Sequence, residues 1–546
     1  MYRYLTCATA FVVMTHTANS QCSESDENRV LLVGDSWAFF MGVDQTINTI
    51  LERWGHSNAT FFTNLTIAEN GAETDDFLSV EKQTEIQALI DADPAIKVVH
   101  LSIGGNDVLG DWHVSFTQAQ TDSLRASVEA RLIEVIEFIK STRPDMHVLW
   151  SGYAYPNFGE VIEDIAPLQS IHPFYDTWEG MGFPTFEQLN TILNDFSASV
   201  GAYCNNDPRV DFVDCTGLMQ HTFGQEDPLG VPPGGTYAPL TAPLPHGFVD
   251  YPSPQSSMRD YGIFLDCFHL SPSGYRDMID FHTRKFYHKF LMHDQFMLSE
   301  GGVRDGSISS LGEVSNQLML GELNGVERST LLSFGTANQL MPTVSAASIF
   351  LRRESLDGTN PIGSTVQVRI VNGQFGASAE VEATDLDATS DGDESACRFG
   401  STDGNGHWMR IDLPASLLPF IASNTTTQFV LSLPGATGGM VTFSDASDPD
   451  FAPVLDLTFE DISTEVSSVP TSKRNVTVFP NPTSGPVSID TQGSRILSLE
   501  LADMMGHLIW RSTSLVNADL SDLPRGAYVL KINTTTGSTM ERVVRW

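Results

Sequence analysis

The sequence predicts that its first half folds as an α/β domain around a parallel β-sheet, and that all-β structure follows. Apolar runs alternate with amphipathic stretches of helical spacing up to about residue 292, which is typical of helices wound on both faces of a parallel sheet. From about residue 318 the pattern changes to short alternating runs separated by Gly, Asn, Asp and Pro. That pattern indicates an antiparallel β-sandwich. A length of 546 residues suits about three or four domains.

The chain is strongly acidic, with 30 Lys and Arg against 68 Asp and Glu and a net charge of −38. Such a surface repels phosphate backbones, which argues against nucleic acid as a partner. Apolar residues make up 41% of the chain, enough to build hydrophobic cores.

The first 20 residues have the features of a signal peptide. Arg3 precedes a short apolar stretch, and Ala18-Asn19-Ser20 fits a cleavage site of small residues. Neither this stretch nor any later one is long enough to span a bilayer, so no membrane span is predicted. Cys22 also permits a lipoprotein interpretation, although Gln21 stands where a lipobox requires a small residue.

The first predicted strand, residues 30–33, ends at a turn made by Gly34-Asp35-Ser36. Gly34 lets the backbone turn sharply. Ser36 would then lie at the carboxyl edge of the sheet, where open α/β folds place their sites. The alternative is that Asp35 or Ser36 merely caps the helix that follows.

Further elements alternate in the same way after this turn. Helices are predicted over 38–54, 74–91, 118–141, 186–203 and 275–293, and strands over 60–65, 95–103, 147–152 and 209–213. Residues 219–261 are rich in Pro and Gly and show no period. A loop of that length is usually functional or an insertion.

Four features stand in order along this region: Gly34-Asp35-Ser36, Gly71 in a turn, Gly104-Gly105-Asn106-Asp107, and Asp266-x-x-His269. Together they resemble the SGNH hydrolases, the GDSL esterase/lipase family, over roughly residues 29–292. Trp37 replaces the Leu of the GDSL group beside the serine. The resemblance implies a flavodoxin-like three-layer sandwich with a parallel sheet, and an ester hydrolase.

The residue types suit acyl transfer. A serine hydroxyl needs a base to take its proton, and the imidazole of His269 suits that task. Asp266 would hold the other ring nitrogen, which completes a catalytic set of Ser36, Asp266 and His269. By resemblance, the oxyanion hole consists of the backbone N–H groups of Ser36 and Gly71 and the side-chain amide of Asn106. No metal or organic cofactor is expected.

Each of these residues also has a purely structural interpretation. Asn106 would then be a helix cap, Gly71 a turn residue and His269 a surface histidine. Asp107 is interpreted as structural, and His100, His113 and His246 receive no role.

Five cysteines remain after signal cleavage, an odd number that leaves at least one thiol unpaired within a monomer. Cys204, Cys215 and Cys267 fall in the first domain, so one disulfide is expected among them in an oxidising compartment.

The domain boundaries follow from these patterns. We expect a hydrolase domain over 21–298, a Gly- and Ser-rich linker over 299–317, and a β-sandwich accessory module over 318–464. Three of its stretches, 328–334, 345–351 and 452–457, loosely resemble the DNRLRE-type jelly-roll modules of secreted carbohydrate-active enzymes. A spacer without a ligand is the alternative. The acidic loop 385–394 is a calcium candidate, but it lacks EF-hand spacing and fits an unliganded loop better.

A second linker is predicted over 465–473, before a small β-unit over 474–546. Its Val476–Gly485, Asp503–His507, Leu523–Tyr528 and basic Arg542–Trp546 stretches resemble the C-terminal sorting domain of the type IX secretion system of Bacteroidetes. The resemblance implies export by that machinery to the cell surface or medium. A generic small sandwich is the alternative.

The sequence thus predicts a secreted serine esterase whose substrate is an acetylated polysaccharide, since a polymer too large to import suits export and an accessory module. A lipase or phospholipase is one alternative. A catalytically inactive surface protein that binds glycans is the other.

Overall fold

In the computed structural model, the described residues are 22–225, 237–336, 343–421, 425–460, 477–491, 495–503, 508–512, 517–521, 523–534 and 537–545. The chain divides into two compact units, 1–460 and 461–546, which are described separately. The predicted signal peptide over 1–20 and the predicted linker over 465–473 lie outside the described residues.

A parallel sheet of five strands forms the centre of the α/β part as far as the structure describes it. The strands are β1 (Glu27–Gly34), β2 (Ala59–Phe62), β3 (Val98–Ser102), β4 (His147–Ser151) and β5 (Val210–Val213). Their order is β2-β1-β3-β4-β5, the flavodoxin-like order. This confirms the predicted fold class.

Helices cover both faces of the sheet. They are α1 (Ser36–Val43), α2 (Thr46–Arg53), α3 (Val80–Ala92), α4 (Gly105–Asp111), α5 (Gln118–Thr142), α6 (Phe158–Glu163), α7 (Tyr175–Gly180), α8 (Phe186–Cys204), α9 (Leu218–Phe223), α10 (Pro272–His282) and α11 (His288–Phe290), with a π-turn Thr283–Tyr287 between the last two. Short 3₁₀ turns lie at Asp76–Leu78, Gln169–Ile171 and Gln255–Ser257. A hairpin, β6 (Met258–Asp260) and β7 (Leu265–Leu270), precedes α10.

The alternation of strand β1 explains the three layers. Val30 and Leu32 join the core on one face of the sheet, whereas Leu31 and Val33 join the core on the other. All four side chains are fully buried. A strand that is apolar on both sides is the signature of a sheet covered on both faces.

The all-β part of the first unit is an antiparallel sheet closed into a ring. Its strands are β8 (Gln295–Leu298), β9 (Gly306–Ser309), β10 (Val314–Ser315), β11 (Leu318–Leu323), β12 (Val326–Gly335), β13 (Val344–Gly358), β14 (Thr365–Asn372), β15 (Gly392–Gly400), β16 (Trp408–Asp412), β17 (Thr426–Ser432), β18 (Gly439–Phe443) and β19 (Val454–Phe459), with 3₁₀ turns Ala383–Leu386 and Leu418–Phe420. The ring runs β12-β11-β18-β13-β16-β15-β14-β17 and closes through β17 on β12. The all-β prediction is confirmed, but the sheet is a closed barrel where a two-sheet sandwich was predicted. Closure leaves these eight strands without a free edge.

The segment expected to be a linker, 299–317, contains two further strands of the same sheet, β9 and β10, which lie outside the closed ring. β9 pairs with β12, and Gly306 and Ser307 are buried. Small residues occur in this segment because the neighbouring backbone leaves no room for larger side chains. A Cβ on Gly306 would come within 2.4 Å of the Ser315 carbonyl oxygen. The preceding strand β8, placed by prediction in the hydrolase domain, pairs with β19.

The expected disulfide among Cys204, Cys215 and Cys267 does not form. These three cysteines are free and buried, because each lies in a different cluster of buried residues: Cys204 at the end of α8, Cys215 after β5 and Cys267 on β7. Cys22 instead bonds to Cys397 on β15. The disulfide therefore joins the start of the α/β part to the barrel.

Side chains of the barrel extend the hydrophobic core on one face of the α/β sheet, while the barrel interior forms a core of its own. Trp54, just after α2, stacks on Trp408 of β16 with ring centroids 5.4 Å apart. Arg410 of the same strand donates to the Gly55 carbonyl oxygen at 3.3 Å and to Asn58 Oδ1 at 3.1 Å. Both tryptophans, together with Phe350, belong to a single cluster of buried residues that includes the α/β core.

The second unit is a small antiparallel β-sandwich. One sheet consists of β20 (Thr477–Phe479), β21 (Pro486–Asp490) and β24 (Asn517–Asp519), and the other of β22 (Ile496–Asp503), β23 (Leu508–Ser512), β25 (Gly526–Thr534) and β26 (Gly537–Arg545). Its core includes Leu499, Leu501, Leu530 and Val543. Across the described parts of the whole chain, no helix is both long and apolar enough to cross a membrane.

Candidate active site

The end of β1 meets the end of β3 at a backbone contact that requires glycine. Gly34 has φ +148°, and a Cβ there would come within 1.9 Å of the Ser102 carbonyl oxygen. The Asp35 N–H donates to that same oxygen at 2.9 Å. The chain can therefore turn tightly over β3 and start α1 at Ser36.

Asp35 caps α1 and is anchored from a second strand. Its Oδ1 accepts the backbone N–H of Trp37 at 2.9 Å, and its Oδ2 accepts the Tyr153 hydroxyl at 2.6 Å. Asp35 is 1% exposed, and burial raises its pKa to about 7. Asp35 is thus the helix cap that the alternative interpretation predicted. Because Asp35 caps the helix, the Ser36 side chain remains available for other contacts.

Ser36, His269 and Asp266 form a continuous chain of hydrogen bonds. His269 Nε2 lies 2.6 Å from Ser36 Oγ, and His269 Nδ1 lies 2.8 Å from Asp266 Oδ2. Asp266 Oδ1 accepts the backbone N–H groups of Phe268 at 2.9 Å and His269 at 2.8 Å. With Nδ1–H donating to the carboxylate, Nε2 faces the serine hydroxyl as an acceptor. His269 is buried, so the surface-histidine interpretation does not fit.

Aromatic rings enclose the imidazole of His269. The rings of Phe40 and Phe268 have centroids 4.8 and 4.3 Å from it. Arg259 lies over Phe40 at 4.0 Å and pairs with Asp44 at the end of α1. Apolar walls exclude water and strengthen the hydrogen bonds between Asp266, His269 and Ser36.

Asn106 and Ser36 line the same pocket, of about 30 Å³, together with apolar side chains such as Leu109, Leu193 and Phe268. Asn106 Nδ2 donates to the Ala72 carbonyl oxygen at 2.9 Å. Because an amide nitrogen carries two hydrogens, Asn106 retains a second N–H.

Gly71 is exposed and has φ +81°. Its neighbour Ala72 contacts Asn106, but Gly71 is not among the described residues that line the pocket. The structure thus brings Ser36, Asp266, His269 and Asn106 together, and places Gly71 in the adjoining turn.

A buried ionic network fixes the turn that follows Gly71. Asp107, fully buried on α4, accepts the Thr74 N–H at 3.0 Å and the Thr74 hydroxyl at 2.6 Å. Arg131 of α5 donates to both residues, to Asp107 Oδ1 at 2.7 Å and to Thr74 Oγ1 at 2.7 Å. The structural interpretation of Asp107 fits these contacts.

Tyr153 is the site residue that sequence reasoning missed. It lines the pocket and contacts Trp37 edge to face, with ring centroids 5.0 Å apart. Tyr153 follows a predicted strand, 147–152, just as the glycine-rich turns follow theirs. This position after a strand was the feature from which a site residue could have been predicted. Trp37 is itself buried between Tyr153 and Tyr275.

The histidines without an assigned role have structural partners. His100 contacts the Tyr287 hydroxyl, His113 the Ser115 hydroxyl and His246 the Thr216 hydroxyl. Among the described residues, no group of three or more His, Cys, Asp or Glu side chains is arranged to hold a metal ion. In the acidic loop 385–394, Asp385 Oδ2 accepts the Glu382 N–H at 2.8 Å.

Comparison with known families identifies two regions. Residues 32–276 match the model of the GDSL-like Lipase/Acylhydrolase family, and residues 477–545 match that of the Secretion system C-terminal sorting domain. A search of curated proteins returned no match.

Solved structures similar to this chain include carbohydrate esterases and lipases. A family 3 carbohydrate esterase of Clostridium thermocellum is 16% identical, with 48% of this chain and 98% of that one covered and a TM-score of 0.27. The family 3 carbohydrate esterase of Talaromyces cellulolyticus is 10% identical (48% and 97% covered, TM-score 0.28). An extracellular lipase of Streptomyces rimosus is 16% identical, with 47% of this chain and 99% of that one covered and a TM-score of 0.27. Similarity at this level says nothing about the substrate.

Proposed function

Residues 32–276 belong to the GDSL-like lipase/acylhydrolase family of ester hydrolases, and residues 477–545 are a sorting domain of a secreted or cell-surface protein. From this premise we propose that the protein deacetylates a polysaccharide through an acyl-Ser36 intermediate. The observation that carries the proposal is the hydrogen-bonded chain from Ser36 through His269 to Asp266. The type IX secretion machinery is the proposed export partner, after removal of the signal peptide.

The geometry suits a two-step hydrolysis. Ser36 Oγ attacks the ester carbonyl while His269 Nε2 takes its proton, and the resulting imidazolium gives that proton to the departing alcohol oxygen. Water then attacks the acyl-Ser36 ester with His269 again as base, which releases the carboxylic acid and restores Ser36. Asp266 holds the imidazole in the required tautomer throughout.

The oxyanion formed in each step needs hydrogen-bond donors. We assign the backbone N–H groups of Ser36 and Gly71 and the side chain of Asn106. Asn106 is supported by its position in the Ser36 pocket. An uncharged amide stabilises the oxyanion without competing for the proton of His269, and loss of one such donor typically costs about 10²–10³-fold in kcat.

A short acyl group suits the pocket at Ser36 because the pocket is small, about 30 Å³, and is lined by apolar side chains such as Leu109, Leu193 and Phe268. The export signal and the barrel favour a polymeric substrate outside the cell.

The test is release of acetate from acetylated xylan, chitin oligomers and pectin, beside p-nitrophenyl acetate. Wild type is compared with Ser36→Ala, His269→Ala and, as a matched control, Ser123→Ala on the exposed side of α5. We expect both site variants to lose turnover by at least about 10³-fold and the control to keep it. Full activity in a folded Ser36→Ala protein would refute the proposal.

A lipolytic enzyme is the second candidate, because exposed apolar side chains lie on the two segments beside His269. Ile171 and Ile263 are 59% and 81% exposed, and their segments meet where His172 contacts Phe264 and Phe174 contacts His269. Turnover of long-chain but not short-chain p-nitrophenyl esters would support it. Glycan binding without any turnover would indicate the inactive glycan-binding alternative.

A further inference from the structure

Tyr153 connects two turns of the active site that belong to different strands. It follows β4, which is the neighbour of β3 in the sheet, and β3 lies between β4 and β1. From there its hydroxyl donates to Asp35 Oδ2 at 2.6 Å, in the turn after β1. The side chain thus passes over the end of β3, where the turn that carries Asn106 begins.

The ring of Tyr153 also fixes the second turn. A Cβ on Gly105 would come within 3.1 Å of this ring, so the ring lies directly against the backbone beside Asn106. The ring also contacts Trp37, the residue after Ser36. Tyr153 is 7% exposed and Asp35 is 1% exposed, which means that water does not compete for their hydrogen bond.

Asp35 connects Tyr153 to the helix turn that carries the nucleophile Ser36. Its two carboxylate oxygens accept from different donors, Trp37 N–H and the Tyr153 hydroxyl. The first of these bonds caps the helix that begins with Ser36. Rotation of the Asp35 carboxylate would therefore alter the first turn of α1 and the direction of Ser36 Oγ.

We propose that Tyr153 is a positioning residue for the ester hydrolysis: through Asp35 it holds the first turn of α1, and with its ring it holds the Asn106 turn, so that nucleophile and oxyanion donor keep one geometry. This inference rests on the proposed function. Errors of about 1 Å between reacting groups can cost about 100-fold in rate, so the loss should appear in kcat rather than in KM.

The experiment compares Tyr153→Phe with Tyr155→Phe. Tyr155 is a matched control because it is also buried and its hydroxyl has two acceptors within hydrogen-bond distance, Asn194 Oδ1 at 2.9 Å and the His246 carbonyl oxygen at 2.6 Å. With p-nitrophenyl acetate, Tyr153→Phe should lower kcat about 10- to 100-fold and change KM less than about threefold. Tyr155→Phe should lose stability but keep kcat.

A double variant tests whether Tyr153 acts through Asp35. If it does, adding Tyr153→Phe to Asp35→Asn gives little further loss, because residues that act as a unit are not additive. Independent, additive losses would overturn the connection through Asp35.

The pH profile separates positioning from mere structural support. Asp35 faces Tyr153, the Trp37 N–H and, from α4, the carboxylate of Asp107; burial raises the pKa of Asp35 and the Tyr153 hydrogen bond lowers it. If the Asp35 carboxylate positions Ser36, its ionisation contributes to the rise of kcat/KM with pH. Tyr153→Phe should then displace that rise to higher pH, and Tyr155→Phe should leave it in place.

The outcomes distinguish the two proposals. Full activity of Ser36→Ala would refute the serine mechanism itself. An inactive Ser36→Ala together with a Tyr153→Phe that matches Tyr155→Phe in kcat and pH profile would refute only the positioning role. The rate at which a fluorophosphonate probe labels Ser36, followed by mass spectrometry, gives a readout that needs no ester substrate: it should fall in Tyr153→Phe and not in Tyr155→Phe.

Discussion

The carboxyl group of Asp35 is buried beside Ser36, whose orientation matters for the reaction. This burial lowers the stability of the folded state by an amount that can be measured. Burial raises its pKa from 3.8 to about 7, although the hydrogen bonds from Tyr153 and Trp37 act in the opposite direction. Removal from water outweighs two good hydrogen bonds because a charged carboxylate loses more hydration than it regains. The folded protein therefore takes up a proton that the unfolded chain has released.

We predict that this single residue makes the folded state less stable as the pH rises from about 4 to about 7. In that interval Asp35 is protonated when folded and ionised when unfolded, so unfolding releases a proton and higher pH favours it. Each pKa unit corresponds to about 1.4 kcal/mol, so the change from 3.8 to about 7 amounts to ~4 kcal/mol. The measurement is urea unfolding of wild type and Asp35→Asn at several pH values. The stability difference between the two should narrow or reverse in favour of Asp35→Asn above pH 7, and parallel curves would contradict the prediction.

Single residues also show what the sequence could reveal about the site. Ser36, Asn106, Asp266 and His269 could be predicted because each belongs to a short motif, and the structure brings these four residues together. Tyr153 belongs to no motif, since its role depends on which strands are neighbours. The disulfide prediction was wrong for the same reason: the three cysteines of the first domain do not pair, whereas Cys22 and Cys397 pair across 375 residues of sequence.

At the scale of elements, the site depends on how β1 ends. Gly34 combines a positive φ with the closest approach to β3, and the N–H of the next residue uses the same Ser102 carbonyl oxygen that excludes a side chain. The turn therefore needs glycine for two separate reasons, conformation and space.

We expect Gly34→Ala to destabilise the protein by about 2–4 kcal/mol and to abolish turnover, because β1 and β3 must separate to admit the methyl group. Gly180→Ala in α7 is the matched control: a Cβ there meets nothing within 4 Å, and alanine is preferred to glycine inside a helix. Thermal and urea unfolding with p-nitrophenyl acetate assays measure both. A Gly34→Ala protein as stable and active as Gly180→Ala would show that the turn is not constrained as described.

Element boundaries were predictable where local signals exist. Thr117 and Thr185 cap the N-termini of α5 and α8, each in a capping box with the glutamine three residues later. By contrast, the helix predicted over 38–54 is two helices, broken where Gln45 adopts a left-handed conformation with φ 52°. The residue at this left-handed position is a glutamine, where glycine is the usual sign of a helix end. The segment 299–317 was mistaken for a linker because small residues serve both flexible chain and tightly packed strands.

At the scale of the whole molecule, the α/β part and the barrel behave as one unit. The contacts between them include the Trp54–Trp408 stack, the Arg284–Asp450 ion pair at 2.9 Å and the bond between Cys22 and Cys397. Phe350, Trp408 and Val454 of the barrel belong to the core on one face of the α/β sheet. The sequence could not reveal this, because each part has its own complete secondary-structure pattern and the shared residues lie far apart in the chain.

This continuity predicts different results for two truncations. The chain 22–460 retains the whole first compact unit and should fold and hydrolyse p-nitrophenyl acetate at a rate within about twofold of the full chain. The chain 22–298 loses Trp408, Phe350 and Val454, which complete the core around Trp54. Each such buried side chain contributes about 1.5–3 kcal/mol, which together approaches the 5–15 kcal/mol (roughly) that keeps a domain folded.

We therefore expect 22–298 to be insoluble, or to lack a cooperative thermal transition and near-ultraviolet circular dichroism, and to be inactive. Trp408→Ala in 22–460 is the milder test: it keeps every strand but removes the ring stacked on Trp54, and should lower stability by about 3–5 kcal/mol while kcat at temperatures below the transition stays near wild type. A 22–298 chain that folds cooperatively and turns over ester at the wild-type rate would show that the barrel is a separable accessory module, as the sequence pattern alone had suggested.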